Sequence, residues 1–123
     1  FLLAGPVDDG DFRLRAAAAR ALGVLGHDQA EDALATLLGD ASAEVRWVAA
    51  RVLGRLKRPA TGAGLVAALD DRHPEVRRQA VLSLGYIADP AACDRIAGLE
   101  RDDPDEEVRN AARATAGILC RGG

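Results

Sequence analysis

Four segments of the chain repeat one another: LRAAAARALGVLG from Leu14, VRWVAARVLGRLK from Val45, VRRQAVLSLGYIA from Val76 and VRNAARATAGILC from Val108. Their first residues lie 31, 31 and 32 positions apart. A near-constant period of this length marks a solenoid, in which each repeat is one supersecondary unit that buries its apolar face only against its neighbours. Within a copy the apolar residues recur at helical spacing, as Val45, Ala49, Leu53 and Leu56, then Val76, Ala80, Leu84 and Ile87. One side of each segment therefore faces a core. A break follows, made by Gly26-His27-Asp28, Arg58-Pro59 or Asp89-Pro90, and then a shorter stretch carries Leu34, Leu65 or Ile96 at one offset.

This pattern predicts helical hairpins, with four first helices starting near residues 12, 43, 74 and 105 and three second helices starting near 28, 60 and 90. The expected fold is all-α, a right-handed α-solenoid of about seven helices in one domain over residues 1–123. Repeat 1 covers 12–42, repeat 2 covers 43–73, repeat 3 covers 74–104, and 105–123 is the first helix of a fourth. Residues 1–11 read as the remnant of a preceding repeat or cap, because Leu3 and Val7 fall at the offsets of Leu34 and Leu38. The last helix is Ala-rich with Ile118, Leu119 and Cys120 near its end, and its open flank is expected to take a neighbour. That neighbour is further repeats of the same array or a second molecule, giving a homo-oligomer. The chain contains no Met, which reads as a piece of a longer one.

The 123 residues are 49% hydrophobic but only 3% aromatic, so the core must be built from Ala, Leu and Val. Sixteen Lys and Arg against 19 Asp and Glu give a net charge of -3, which lacks the basic excess that drives phosphate-backbone binding. Nucleic acid is not the expected partner. No apolar run approaches the ~20 residues that cross a bilayer, and no signal segment is evident, so a cytoplasmic location without membrane contact is expected. Cys93 and Cys120 match no zinc pattern and read as two free thiols. A disulfide is the alternative, which needs Cα atoms within ~7 Å.

The polar positions recur as faithfully as the apolar ones. Asp9, Asp40, Asp71 and Asp103 lie five residues before the apolar anchor, and Arg15, Arg46, Arg77 and Arg109 follow it by one. An Asp there can accept hydrogen bonds from the first free N–H groups of the helix, and an Arg fork can bridge carboxylates of adjacent repeats. Rows of equal length and opposite sign read as a structural ladder rather than a grip on an acidic partner. Arg outnumbers Lys 15 to 1, which suits fixed ion pairs.

The strings DASAEVRWVAARVLG, DRHPEVRRQAVLSLG and DPDEEVRNAARATAG share Asp, then a small residue or Pro, then Val-Arg, Ala and Leu-Gly or its equivalent. In this the chain resembles the HEAT-like repeat of the phycobilisome-lyase type, a bacterial-type armadillo-like helical repeat, over nearly its whole length. The resemblance implies first helices on the convex surface and second helices on the concave one. It also implies a link to enzymes that attach or detach a bilin as a complex of two solenoid chains, although the motif defines a scaffold shared by many non-enzymatic proteins.

Chemistry finds little support in the residues, and no catalytic, cofactor or metal site is expected. His27 and His73 sit in different kinds of loop, at opposite ends of helices ~20 Å long, so they cannot share one metal ion. Deoxyhypusine hydroxylases, iron enzymes that also use HEAT-like repeats, place His-Glu pairs on their helices, and no His-Glu pair occurs here. Ser42 and Ser83 have no histidine in their helix neighbourhood; Ser42 suits a helix cap, and Ser83 takes the offset of Val52.

Partner binding is the better expectation. Projected second helices turn Asp32, Ala35 and Thr36, then Ala63, Val66 and Ala67, then Asp94 and Ala97 away from the core. That smooth, mildly acidic wall would admit a basic element of another protein. On the first-helix side Trp47, Arg51 and Leu82 form a weaker candidate cluster, with Tyr86 and Arg55 expected to fill the groove between first helices. The leading reading is a non-catalytic protein–protein interaction scaffold; the alternative is a subunit of a bilin-lyase-type or other enzyme complex.

Overall fold

A computed structural model describes residues 12–26 and 28–120. Among them seven α-helices and no strand are found: α1 (Phe12–Leu25), α2 (Asp28–Leu37), α3 (Ala43–Leu56), α4 (Gly62–Ala68), α5 (Pro74–Ile87), α6 (Cys93–Asp102) and α7 (Glu106–Leu119). Short 3-10 turns, Pro59–Thr61 and Pro90–Ala92, lead into α4 and α6, where proline sets the first φ and needs no donor partner. Asp9, Leu3 and Val7 lie outside the described residues, as does His27.

The four 14-residue helices α1, α3, α5 and α7 pack side by side in one row, and the shorter α2, α4 and α6 form a second row. Each short helix packs against the long helix that follows it, and α2 also packs against α1. The anchors meet between the rows: Val45, Val76, Val108, Ala49, Ala80, Leu53 and Leu84 are buried with Leu34, Leu65 and Ile96. Such a core of small and medium residues follows from the shortage of aromatics and lets the helices come close.

Close approach is most evident in the long row. A Cβ on Gly54 would meet the Ser83 side chain and lie 2.9 Å from the Ser83 Cα. Gly23 lies in the same way against Val52, and Gly85 against Thr115. The Ser83 hydroxyl donates to the Ala50 carbonyl at 2.7 Å, joining α5 to α3. The short helices touch one another little.

Each long helix ends in a left-handed residue at one repeat position, Gly26 (φ 65), Lys57 (φ 55) and Ala88 (φ 60), a conformation that releases the chain into the short helix. The fourth copy departs from this. Cys120 occupies that position with φ -108 and is bonded to Cys93, with Cα atoms 5.7 Å apart. This corrects the expectation of two free thiols: α6 runs along α7, so the start of one and the end of the other meet. No described helix is long and apolar enough to cross a membrane.

Candidate functional site

The recurring Arg and Asp residues meet between repeats. Arg15 donates to both carboxylate oxygens of Asp40 at 2.8 and 3.1 Å. Arg46 does so to Asp71 at 2.8 and 3.2 Å, and Arg77 to Asp103 at 2.8 and 3.0 Å. A planar fork on a planar carboxylate is the strongest geometry available to this pair. The same arginines reach back to the preceding loop, Arg46 to the Asp40 carbonyl and Arg77 to the Asp71 carbonyl. Each Asp accepts from the backbone N–H two residues on, at Ser42, His73 and Asp105. The aspartates therefore shape the turn before the helix and do not cap it. Capping falls to Ser42 and Asp105, which accept from Val45 N–H and Val108 N–H.

These bridges are nearly dry; the Arg77 and Asp103 side chains are 13% and 2% exposed. Burial pushes the Asp103 carboxyl up, but the Arg77 hydrogen bond, the Asp105 N–H and the charges of Arg77 and Arg109 outweigh it and hold the group below its ordinary range. Asp71 is lowered for the same reasons, with Arg46 and the His73 N–H against burial. Asp103 in turn raises the Arg77 guanidinium. Arg109 completes the series on one side only: it donates to the Asp103 carbonyl at 2.7 Å and has no carboxylate partner among the described residues.

The wall of short helices is open at most of the positions that its projection turns outward, but Val66 packs against the core. Asp32, Ala35, Thr36, Ala63, Ala67 and Asp94 are exposed, and Val66 and Ala97 are half-buried. Thr36 turns its hydroxyl back to the Asp32 carbonyl. Beside Asp94, Arg95 reaches across to Asp70 on the preceding repeat, a pair exposed on both sides that projection of the helices did not bring out.

On the long row Trp47 is half-buried and packs on the core, with the Arg51 guanidinium 5.4 Å from its ring centroid. It borders a groove of about 370 Å³ between α3 and α5, lined also by Glu44, Glu75, Val76 and Arg78. Leu82 is half-buried one helix on. Tyr86 does not fill the groove between long helices as expected, being 55% exposed where the Gly85–Thr115 contact closes the space, whereas Arg55, though exposed, borders a groove between α1 and α3. Among the described residues, no three His, Cys, Asp or Glu side chains converge as metal ligands.

The model of the HEAT repeats family matches residues 1–71 and 37–117. No curated protein sequence matches the chain. Among solved structures, human deoxyhypusine hydroxylase in complex with glycerol is similar at 30% identity and a TM-score of 0.75, over 94% of this chain and 44% of that one. An engineered protein is similar in fold at 24% identity and a TM-score of 0.66, over 99% of this chain and 61% of that one. The chain thus spans less than two thirds of either structure's length.

Proposed function

Because the chain belongs to the HEAT-repeat family, we propose that it is a non-catalytic protein–protein interaction scaffold. The observation that carries this reading is the repeated bridge: three buried Arg–Asp forks lock successive repeats in register, so that side chains on the two rows form fixed arrays. The short-helix wall of Asp32, Ala35, Thr36, Ala63, Val66, Ala67, Asp94 and Ala97 offers small side chains that let a basic segment come close. Trp47, Arg51 and Leu82 are a second contact set on the long row. At α7 the half-made Arg109 bridge and Gly117, with nothing within 4 Å of where a Cβ would stand, suit one more repeat of the array or a second copy of the chain. The Cys93–Cys120 bond favours an oxidising compartment over the cytoplasm expected from sequence.

The test is affinity capture on the immobilised chain beside its Asp32→Arg/Asp94→Arg variant, with retained proteins identified by mass spectrometry. A protein lost only on the variant supports a scaffold acting through the short row; equal retention on both contradicts that row's role.

Similarity to an enzyme, human deoxyhypusine hydroxylase, favours a second reading, in which the chain is part of an enzyme assembly. The phycobilisome-lyase type of repeat gives that reading a bilin substrate. Unchanged absorption of a bilin on titration with the purified chain removes the bilin form of it. The absence of any His-Glu pair from the sequence weighs against iron hydroxylation of that hydroxylase's kind.

A further inference from the structure

Although the chain as a whole is acidic, the later turns of its long helices are not. Positions six and ten after each anchor carry Arg20 and Val24 on α1, Arg51 and Arg55 on α3, Leu82 and Tyr86 on α5, and Ala114 and Ile118 on α7. They lie four residues apart on each helix and so share its face, and the side-by-side row lines them up into one band. Arg20, Val24 and Arg55 border a common groove of about 300 Å³, which shows that adjacent helices bring them together.

Val24 is 88% exposed, Ile118 86% and Tyr86 55%, the most open large apolar side chains of the long row apart from Leu25. Arg20 and Arg55 have no ion-pair partner among the described residues, and Arg51 lies over Trp47 with no carboxylate. The acids of these helices, Glu44, Glu75, Glu106 and Glu107, all sit in the first turn, at the far end. Unpaired cations between exposed apolar groups are what an acidic, amphipathic partner would complement.

We propose that this band docks an acidic amphipathic helix of another protein, laid across α1, α3, α5 and α7. The inference rests on the scaffold reading and names the partner chemistry for the face opposite the short-helix wall. A helix is the occupant because neighbouring packed helices stand ~8–10 Å apart. Two turns of a crossing helix advance ~10.5 Å, so residues seven apart meet successive long helices, the apolar ones against Val24, Tyr86 and Ile118. Its carboxylates then fall between, against Arg20, Arg51 and Arg55.

The experiment uses the intrinsic fluorescence of Trp47, the sole tryptophan, which reports directly on its Arg51 neighbour. The probe is a synthetic helix of about 20 residues, ~30 Å long, with Leu every seventh position and Glu between. Its Lys-for-Glu counterpart and a single-stranded DNA of similar length are controls. The acidic helix is expected to bind, to weaken with added salt, and to lose at least tenfold in affinity with Arg51→Glu/Arg55→Glu while Asp32→Arg/Asp94→Arg changes it less than about twofold. Arg20→Glu, on another helix, repeats the test should the double variant melt early. No binding of the acidic helix, equal binding by the Lys helix, or tighter binding of the DNA overturns the proposal. Failure here with capture through the short row intact leaves the scaffold reading standing; failure of both removes both.

Discussion

Replacing Arg77 with Ala isolates what one rung of the ladder contributes. The substitution removes a two-pronged bridge to Asp103 and the donor to the Asp71 carbonyl. Asp103, whose side chain is 2% exposed, keeps the Asp105 N–H but loses the adjacent countercharge. Stripping one member from a buried pair costs ~3–5 kcal/mol, and the remaining N–H bond places this case near the lower end, at about 3 kcal/mol. For a chain of this length 1 kcal/mol moves Tm by ~3–5 °C, so Arg77→Ala should melt ~10–15 °C below the parent in circular dichroism. The control is Arg113→Ala, whose pair with Glu100 spans 3.6 Å and is 66% and 35% exposed; there the cost should stay under ~0.5 kcal/mol. Acid gives a second handle. Asp103 is held below its ordinary carboxylate range, so it contributes stability above its unfolded pKa of ~3.9 that is lost as pH falls through the lowered folded value. Without Arg77 only the Asp105 N–H and the Arg109 charge oppose the effect of burial, so the carboxyl is held down less. The gap between parent and variant should therefore be widest above about pH 5 and shrink towards pH 3. Equal melting shifts for Arg77→Ala and Arg113→Ala, or a gap that widens in acid, would refute the reasoning.

The close contacts make sharper distinctions. Gly54→Ala drives a methyl towards Ser83, including its backbone, and should cost ~1–3 kcal/mol in urea denaturation. Gly117→Ala, at the matching position with open space around it, should gain ~0.5 kcal/mol from helix propensity alone; similar costs at both sites would contradict the tight row. Opening the Cys93–Cys120 bond frees a loop with a sequence separation of 27, so reduction should lower stability by ~3–4 kcal/mol. Alkylation of the unreduced, denatured chain should label no thiol, and full labelling would show the bond is not made.

Much of the architecture is legible in the sequence because a repeat states its geometry several times. Val45, Val76 and Val108 each mark the buried start of a long helix, and Leu34, Leu65 and Ile96 the inward face of a short one. The recurring Asp and Arg are visible too, but their partners lie 25 or 26 residues apart in the chain, and only packed repeats fix which carboxylate each fork takes. How near the long helices come to one another is not legible, since it depends on which side chain each helix meets on the next. The glycines at 54 and 85 carry that signal, and their meaning emerges only opposite Ser83 and Thr115. The Cys93–Cys120 bond turns on one Cα separation, which no local pattern encodes. The exposed band of Arg20, Val24, Arg55, Tyr86 and Ile118 escapes a reading by apolar anchors, because it occupies the positions those anchors leave over.

The most direct test of a scaffold held by structural bridges and bound through its surface compares Tm with affinity for a captured partner. The parent is set beside Asp32→Arg/Asp94→Arg, Arg51→Glu/Arg55→Glu and Arg77→Ala. The expected result is that a surface variant loses at least tenfold in partner affinity at nearly unchanged Tm, while Arg77→Ala loses Tm and keeps its affinity below the melt. Loss of affinity in Arg77→Ala at unchanged Tm, with both surface variants binding as the parent does, would make the ladder a binding site and contradict the account.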